Sequence, residues 1–215
     1  MTTKVLAYHG KETLKQETIA KMQSHHDADE LVKGLYWEKG KGCMIGCLAH
    51  READAHEWVA KALGFPLELA HLYDGLFEGL SLEASKSFPL KVLNATHTGA
   101  DLSKVAARFK LWILENELHC DREAHPKIAN AIDDVIALHM RVLNGEAVDD
   151  SEWAAAETAA GGATRAAKWS AAGAAKSAEE TSVRSAGWAA DVPASYERMA
   201  DQLIQILEEN QNNDN

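Results

Sequence analysis

The residues of this sequence best suited to chemistry lie in one glycine-, lysine- and cysteine-rich segment. Residues 39–47 read KGKGCMIGC, and a helix-forming stretch that carries His50 and His56 follows. Three glycines within seven residues oppose a regular helix and allow the backbone to approach another group closely. The pattern therefore predicts a loop that leads into a helix.

A first hypothesis makes this loop a cradle for a small anion. Glycines at 40, 42 and 46 would free backbone amides at the start of the following helix, and neighbouring lysines would add positive charge. The loop is not a Walker motif, because the closing Gly-Lys-Ser/Thr is missing. The predicted ligand-binding residues are Lys39, Lys41, Gly42, Cys43, Gly46, Cys47 and His50, with His97 from a separate polar connection at 96–101.

Two alternatives use the cysteines themselves. Cys43 and Cys47 could complete a tetrahedral zinc shell with His50 and His56, although a spacing of six residues puts these histidines on different sides of a helix. A thiolate of Cys47 at a helix N-terminus could instead be a nucleophile with a histidine as base. Tight turns and small core thiols explain the same residues without chemistry. The sequence thus assigns no catalytic residue, metal ligand or cofactor.

Other ionisable residues are interpreted structurally. The run HHDADE at 25–30 is the densest ionisable cluster, and such a set can bind a divalent metal or transfer protons. It is interpreted instead as the acidic start of a short helix, since adjacent histidines point to different sides. Asp74 and Glu78 have the i, i+4 spacing that puts both on one helix face, as in the magnesium sites of helical nucleotide pyrophosphohydrolases. In a chain with a net charge of -11, such carboxylates are expected on solvated faces.

Composition limits the classes of function. A formal charge of -11 opposes binding to a polyphosphate backbone, so nucleic acid is not expected as a ligand. The sequence has neither a long apolar run nor a basic-then-apolar start, which predicts a cytoplasmic protein without a membrane segment. Three cysteines in 215 residues do not resemble a disulfide framework, so reduced thiols are expected.

Apolar residues recur with helical spacing almost throughout, which predicts an all-α helical bundle. We expect a main bundle over 1–150, and alanine- and tryptophan-rich helices packed on it as an additional layer over 151–209. Residues 210–215 are expected to fray. Individual predictions include one helix over 48–63 that ends at Gly64, a helix opened by Pro66, a short helix from Pro89, and an amphipathic helix from Pro126 to about Gly145.

Part of the sequence resembles uncharacterised all-helical phage and bacterial proteins, including families named as immunity proteins. The resemblance rests on 36–47 with its Gly-Cys-x-x-Gly-Cys loop, on 63–66 and 72–80, and on the alanine-rich region that ends in YERMADQL at 196–203. It covers about half of the chain. It implies a mobile-element context and transfers no catalytic residue.

We therefore predict a non-enzymatic binding protein of a phage or bacterial conflict system, of the anti-defence or immunity type. It would capture a small anionic ligand or block a partner protein. A thiol- or metal-dependent enzyme built on Cys43, Cys47, His50 and His56 is the alternative. The alanine face and tryptophans would also suit a homo-oligomer.

Overall fold

A computed structural model describes residues 4–117, 122–123, 126–167 and 192–210. A short 3-10 turn at Ala7–Gly10 precedes the helices α1 Glu12–Asp27, α2 Met44–Ala49, α3 Ala55–Leu63, α4 Leu67–Gly79, α5 Leu82–Ala95, α6 Val105–Asn116, α7 Pro126–Leu143, α8 Asp150–Ala167 and α9 Val192–Glu209. Extended chain in these residues forms only isolated bridges, so the all-α prediction is confirmed. None of the described helices is long and apolar enough to span a membrane.

The chain divides into two compact units at positions other than the predicted boundary near 150. A larger unit combines residues 2–106 with 196–215, and a smaller unit comprises 107–195 together with residue 1. The predicted alanine-rich layer is described as far as 167 in α8, whereas 168–191, with Trp169 and Trp188, lie outside the described residues. The predicted fraying tail, apart from Asn210, also lies outside them.

Aromatic side chains form the centre of the larger unit. Tyr8 meets Phe65 edge-on with 5.3 Å between ring centroids, and Phe65 meets Tyr73 at 6.1 Å. The hydroxyl of Tyr8 donates to the carbonyl of Leu93 at 2.9 Å, which satisfies a polar group that is otherwise removed from water. Burying each of these rings stabilises the fold by roughly 1.5–3 kcal/mol. This core fixes α3, α4 and α5 around the N-terminal segment.

Helix α9 completes the larger unit from the far end of the chain. A Cβ at Gly79 would lie 1.9 Å from the ring of Tyr196, so only glycine fits at this end of α4. The Ser81 hydroxyl donates to Glu197 at 3.1 Å, and the His97 ring bonds the Glu208 carbonyl at 3.0 Å. Helix α9 therefore contacts the end of α4 and the residues that flank α5.

Two helix predictions are wrong in their boundaries. The helix expected over 48–63 is two helices, α2 and α3, because His50 and Asp54 both adopt left-handed backbone angles with φ of 53°. Pro89 does not begin a helix but lies inside α5, which Ser81 caps by accepting from the amide of Ala84. Pro89 is buried within this helix, where its ring removes one backbone hydrogen bond. The predicted left-handed stop at Gly64 is confirmed.

The smaller unit is built on α7 and α8. The apolar face predicted for α7 is buried where it was expected, and it packs on one side of α8. The cluster contains Leu114, Ile128, Ala131, Ile132, Val135, Leu138 and Ala156, with Ile136, Val148 and Trp153 against it. Arg141 ties the two helices through Glu152 and bonds Glu146 at 3.1 Å.

His139 is the polar exception on this face. Its side chain is 3% exposed and lies 4.9 Å from the ring of Trp153, and its Nε2 atom has no hydrogen-bond partner in the part of the chain that the structure describes. Burial, and then the positive charge of Lys110, lower the pKa of His139 from 6.5 to about 4. The imidazole is therefore neutral in the folded protein over the range in which it would be charged in the unfolded chain.

We expect the unfolding free energy to fall as pH drops from about 6.5 to 4, because the unfolded chain binds a proton at His139 and the folded chain does not. A difference of two and a half units between the pKa of His139 in the unfolded and folded chain corresponds to about 3 kcal/mol of unfolding free energy. The variant His139→Gln should lack this component. Denaturant titrations of both proteins at several pH values measure it.

The matched control is His26→Gln, which changes a half-exposed histidine that bonds Asp27 at the end of α1. It should keep the acid sensitivity of the parent protein. If His139→Gln and the parent lose stability equally between pH 6.5 and 4, His139 is not the group that titrates.

Candidate functional site

Two glycines bring the segment around Tyr36 directly onto α2. A Cβ at Gly42 would lie 2.0 Å from the carbonyl oxygen of Tyr36, and one at Gly46 would lie 1.4 Å from the same oxygen. The amide of Cys43 donates to the carbonyl of Leu35 at 2.6 Å, which fixes this approach. The glycines of the predicted loop thus serve contact within the chain.

The same contacts use the amides that an anion cradle would need. The amide of Gly42 donates to the Glu30 carbonyl at 3.0 Å, and that of Gly46 donates to the Cys43 sulfur at 3.4 Å. Lys41 bonds Glu38 through its own amide, and the exposed Lys39 ammonium pairs with Glu38 at 3.1 Å. A ligand role for these two lysines stays a prediction, but the loop offers an anion few free amides.

Both thiols of the loop are buried and protonated. Cys43, at 2% exposure, precedes the first turn of α2, and Cys47, fully buried, donates to the Gly42 carbonyl at 3.4 Å. Burial first, and then the negative charge of Asp74, raise the pKa of Cys43 far above its ordinary value. Burial and Glu30 raise the pKa of Cys47 to about 12. These conditions oppose the predicted thiolate nucleophile.

The structure places Cys43 against two carboxylates of α4. The Cys43 sulfur and one oxygen each from Asp74 and Glu78 lie within 4.8 Å of one another, and we call these three residues the thiol–carboxylate cluster. Both carboxylates are only partly exposed, so the expectation that they lie on a solvated face is wrong. The approach of α2 to α4 removes them from water.

Hydrogen bonds hold each carboxylate of the cluster. The Oδ2 atom of Asp74 accepts from the His56 ring at 3.2 Å and from the Tyr36 hydroxyl at 3.4 Å, whereas its buried Oδ1 atom bonds no nitrogen or oxygen donor of the residues that the structure describes. Both oxygens of Glu78 accept from the amide of Gly34, at 2.8 and 3.0 Å. Burial raises the pKa of Glu78, and the amide of Gly34 opposes that shift. Asp74 is therefore oriented by donors on one oxygen and lies beside the Cys43 thiol.

His56 lies beside this cluster and not among the thiols. Its ring stacks on that of His71 at 4.2 Å and meets Tyr36 edge-on at 5.7 Å. The predicted set of Cys43, Cys47, His50 and His56 is therefore not assembled as one metal shell in the structure: Cys43 and His56 both contact Asp74, whereas Cys47 and His50 contact other groups.

A second polar group lies at the other end of α2. The Nε2 atoms of His25 and His50 are 2.7 Å apart, and Nδ1 of His25 is 2.6 Å from a carboxylate oxygen of Glu30. The ring of Trp37 stacks on His50 at 4.5 Å and meets His25 edge-on at 5.6 Å. We call His25 and His50 the histidine pair. The acidic helix start predicted for 25–30 is wrong, because α1 ends at Asp27 and no helix begins there.

The residues that sequence reasoning missed are those that meet α2 through tertiary contact. Tyr36, Asp74, Glu78 and Glu30 were not assigned to the site. The spacing of Asp74 and Glu78 within an otherwise apolar helix was the available signal. His97, which was predicted as a ligand contact, instead bonds the backbone of α9.

In comparisons with known proteins, no family model, no curated protein and no solved structure matches this chain. The functional argument therefore rests on the geometry of the two groups at α2.

We expect Gly46→Ala to lower the unfolding free energy by about 3 kcal/mol or more, because the added methyl group would meet backbone that cannot rotate away. Gly10→Ala is the matched control. Gly10 has φ of +70° and open space where the added methyl group would lie, so only left-handed strain of about 1–2 kcal/mol is expected. Denaturant unfolding measures both, and equal losses would contradict the close contact at Tyr36.

Proposed function

We propose that this protein binds a divalent transition-metal ion at the thiol–carboxylate cluster of Cys43, Asp74 and Glu78. The observation that carries the proposal is the convergence of one buried sulfur and two carboxylates within 4.8 Å, where a buried Asp74 oxygen bonds no nitrogen or oxygen donor among the described residues. Buried polar atoms are nearly always satisfied, so an orphaned carboxylate oxygen among such groups needs a cation or a proton beside it.

Electrostatics favour a metal cation over an added proton at the thiol–carboxylate cluster. Burial and the charge of Asp74 raise the pKa of both Cys43 and Glu78, so these two groups resist ionisation beside the Asp74 carboxylate. A divalent ion would reverse this effect, because it displaces the thiol proton and is attracted by all three anions. Metal binding would thus be favourable because the cation offsets the unfavourable ionisation of acidic groups that the fold holds close together.

The donor set selects the class of metal. One thiolate with two carboxylates suits a borderline ion such as Zn²⁺ or Co²⁺, since Mg²⁺ and Ca²⁺ prefer oxygen donors alone. His56 donates to Asp74 and Tyr36 does the same, which orients the carboxylate for a metal on its other oxygen. The magnesium chemistry considered for Asp74 and Glu78 is correspondingly disfavoured by the sulfur.

Three protein ligands leave a coordination position for water or an external group. An anionic ligand would then bind the metal, and not the amides of the 39–47 loop. Within the phage or bacterial conflict system that the resemblance implies, the protein would be a metal-dependent binding protein. The thiol-dependent enzyme loses support, since both thiols are buried with raised pKa values.

Cobalt substitution tests the site directly. We expect one equivalent of Co²⁺ to give a sulfur-to-cobalt charge-transfer band in the parent protein and in Cys47→Ser. The band should be lost in Cys43→Ser, and affinity should fall in Asp74→Asn. Cys47 is the matched control because it is an equally buried cysteine four residues away whose thiol bonds a carbonyl.

Thermal unfolding gives the second readout. Metal at a hundredfold excess over its Kd should stabilise the parent protein by about 2.7 kcal/mol, reversibly on chelation. Cys43→Ser should not respond, whereas Cys47→Ser should. Absence of stoichiometric zinc or cobalt binding, or equal binding by both cysteine variants, would remove the proposal.

A further inference from the structure

The second polar group at α2 is a chain of three ionisable side chains whose protons can be assigned in order. A carboxylate only accepts hydrogen bonds, so Nδ1 of His25 donates to Glu30 across 2.6 Å. Nε2 of a neutral His25 is then an acceptor, and it accepts a hydrogen bond from Nε2–H of His50 across 2.7 Å. This order leaves Nδ1 of His50 with its lone pair.

The fold holds the outer imidazole in one orientation. His25 is 7% exposed on α1, whereas His50 is exposed at the end of α2 in a left-handed conformation with φ of 53°. The ring of Trp37 lies nearly parallel to that of His50, at 15° and 4.5 Å. Nδ1 of His50 makes no hydrogen bond to any residue that the structure describes. The order of carboxylate, imidazole and imidazole is that of a catalytic triad in which a second imidazole stands in the place of the nucleophile.

Positive charge lies beside this imidazole. The Lys21 ammonium and the Arg51 guanidinium lie over the ring of Trp58, at 5.8 and 5.6 Å from its centroid. Lys21 also donates to the carbonyl of Leu48 at 2.7 Å, which holds it near the end of α2. Burial, then Lys21 and His25, lower the pKa of His50, and Glu30 opposes them. The ring is thus held neutral near the Lys21 ammonium, which would attract an anionic group.

We propose that His50 is a nucleophilic histidine that accepts a phosphoryl group on Nδ1 from a small phosphoryl donor. Its lone pair forms the N–P bond, and the bond from phosphorus to the leaving group breaks with its electron pair going to that group. The Nε2 proton of His50 passes to Nε2 of His25, and Glu30 stabilises the resulting imidazolium. Lys21 attracts the phosphoryl oxygens.

This proposal does not depend on the metal site, because the two share no residue. The probe is phosphoramidate, whose P–N bond breaks to release ammonia, applied to the full chain at neutral pH without added metal. Intact mass and fragment spectra should show one phosphoryl group at His50. His50→Gln should lose it, and His25→Gln should slow it at least about tenfold, since removing a positioned base costs roughly 10²–10⁴ in rate.

His26→Gln is the control and should leave the rate at His50 unchanged. Long-range ¹H–¹⁵N spectra of the parent protein test the proton assignment without a variant, and they should show His50 protonated on Nε2 alone. The proposal is overturned if His50 carries its proton on Nδ1, if His9 or His26 reacts as fast as His50, or if a folded His25→Gln reacts at the parent rate.

Discussion

The contact between the backbone of Tyr36 and the glycine face of α2 is the constraint on which the rest of the site depends. A side chain at Gly42 or Gly46 would occupy the place of the Tyr36 carbonyl. With the backbone this close, the Tyr36 side chain reaches Asp74 and the ring of the next residue, Trp37, reaches His50. Two consecutive residues therefore contact both polar groups, one at each end of a six-residue helix.

Backbone strain in the turn between α2 and α3 is the second feature on which the site depends. His50 and Asp54 hold left-handed angles that cost non-glycine residues roughly 1–2 kcal/mol each. The turn they form separates α2 from α3, so that His56 turns towards Asp74 while His50 turns towards His25. A continuous helix would fix the two histidines relative to each other, whereas the turn between α2 and α3 orients each one separately. The strain is therefore the cost of separating the two groups.

The structural features that depend on local sequence patterns could be predicted from the sequence. Helical spacing and the terminal residues Gly64 and Pro126 identified the fold class and the ends of α3 and α7, because periodicity and capping act over a few residues. Glycine density identified 39–47 as the informative segment. The break at His50 was missed because no glycine or proline marks it. The partners of Cys43 and His50 were missed because Asp74 and His25 meet them only through tertiary packing, at sequence separations of 31 and 25.

The discontinuity of the larger unit has a consequence for synthesis of the protein. Its residues up to 106 leave the ribosome well before α9, and about 90 residues of the smaller unit intervene. At roughly 5–20 residues per second this delay lasts about 5–20 s. During that time the end of α4 lacks Tyr196, which packs on Gly79 in the finished protein. In the nascent chain, the surface of α4 that Tyr196 covers thus stays uncovered until α9 has been synthesised.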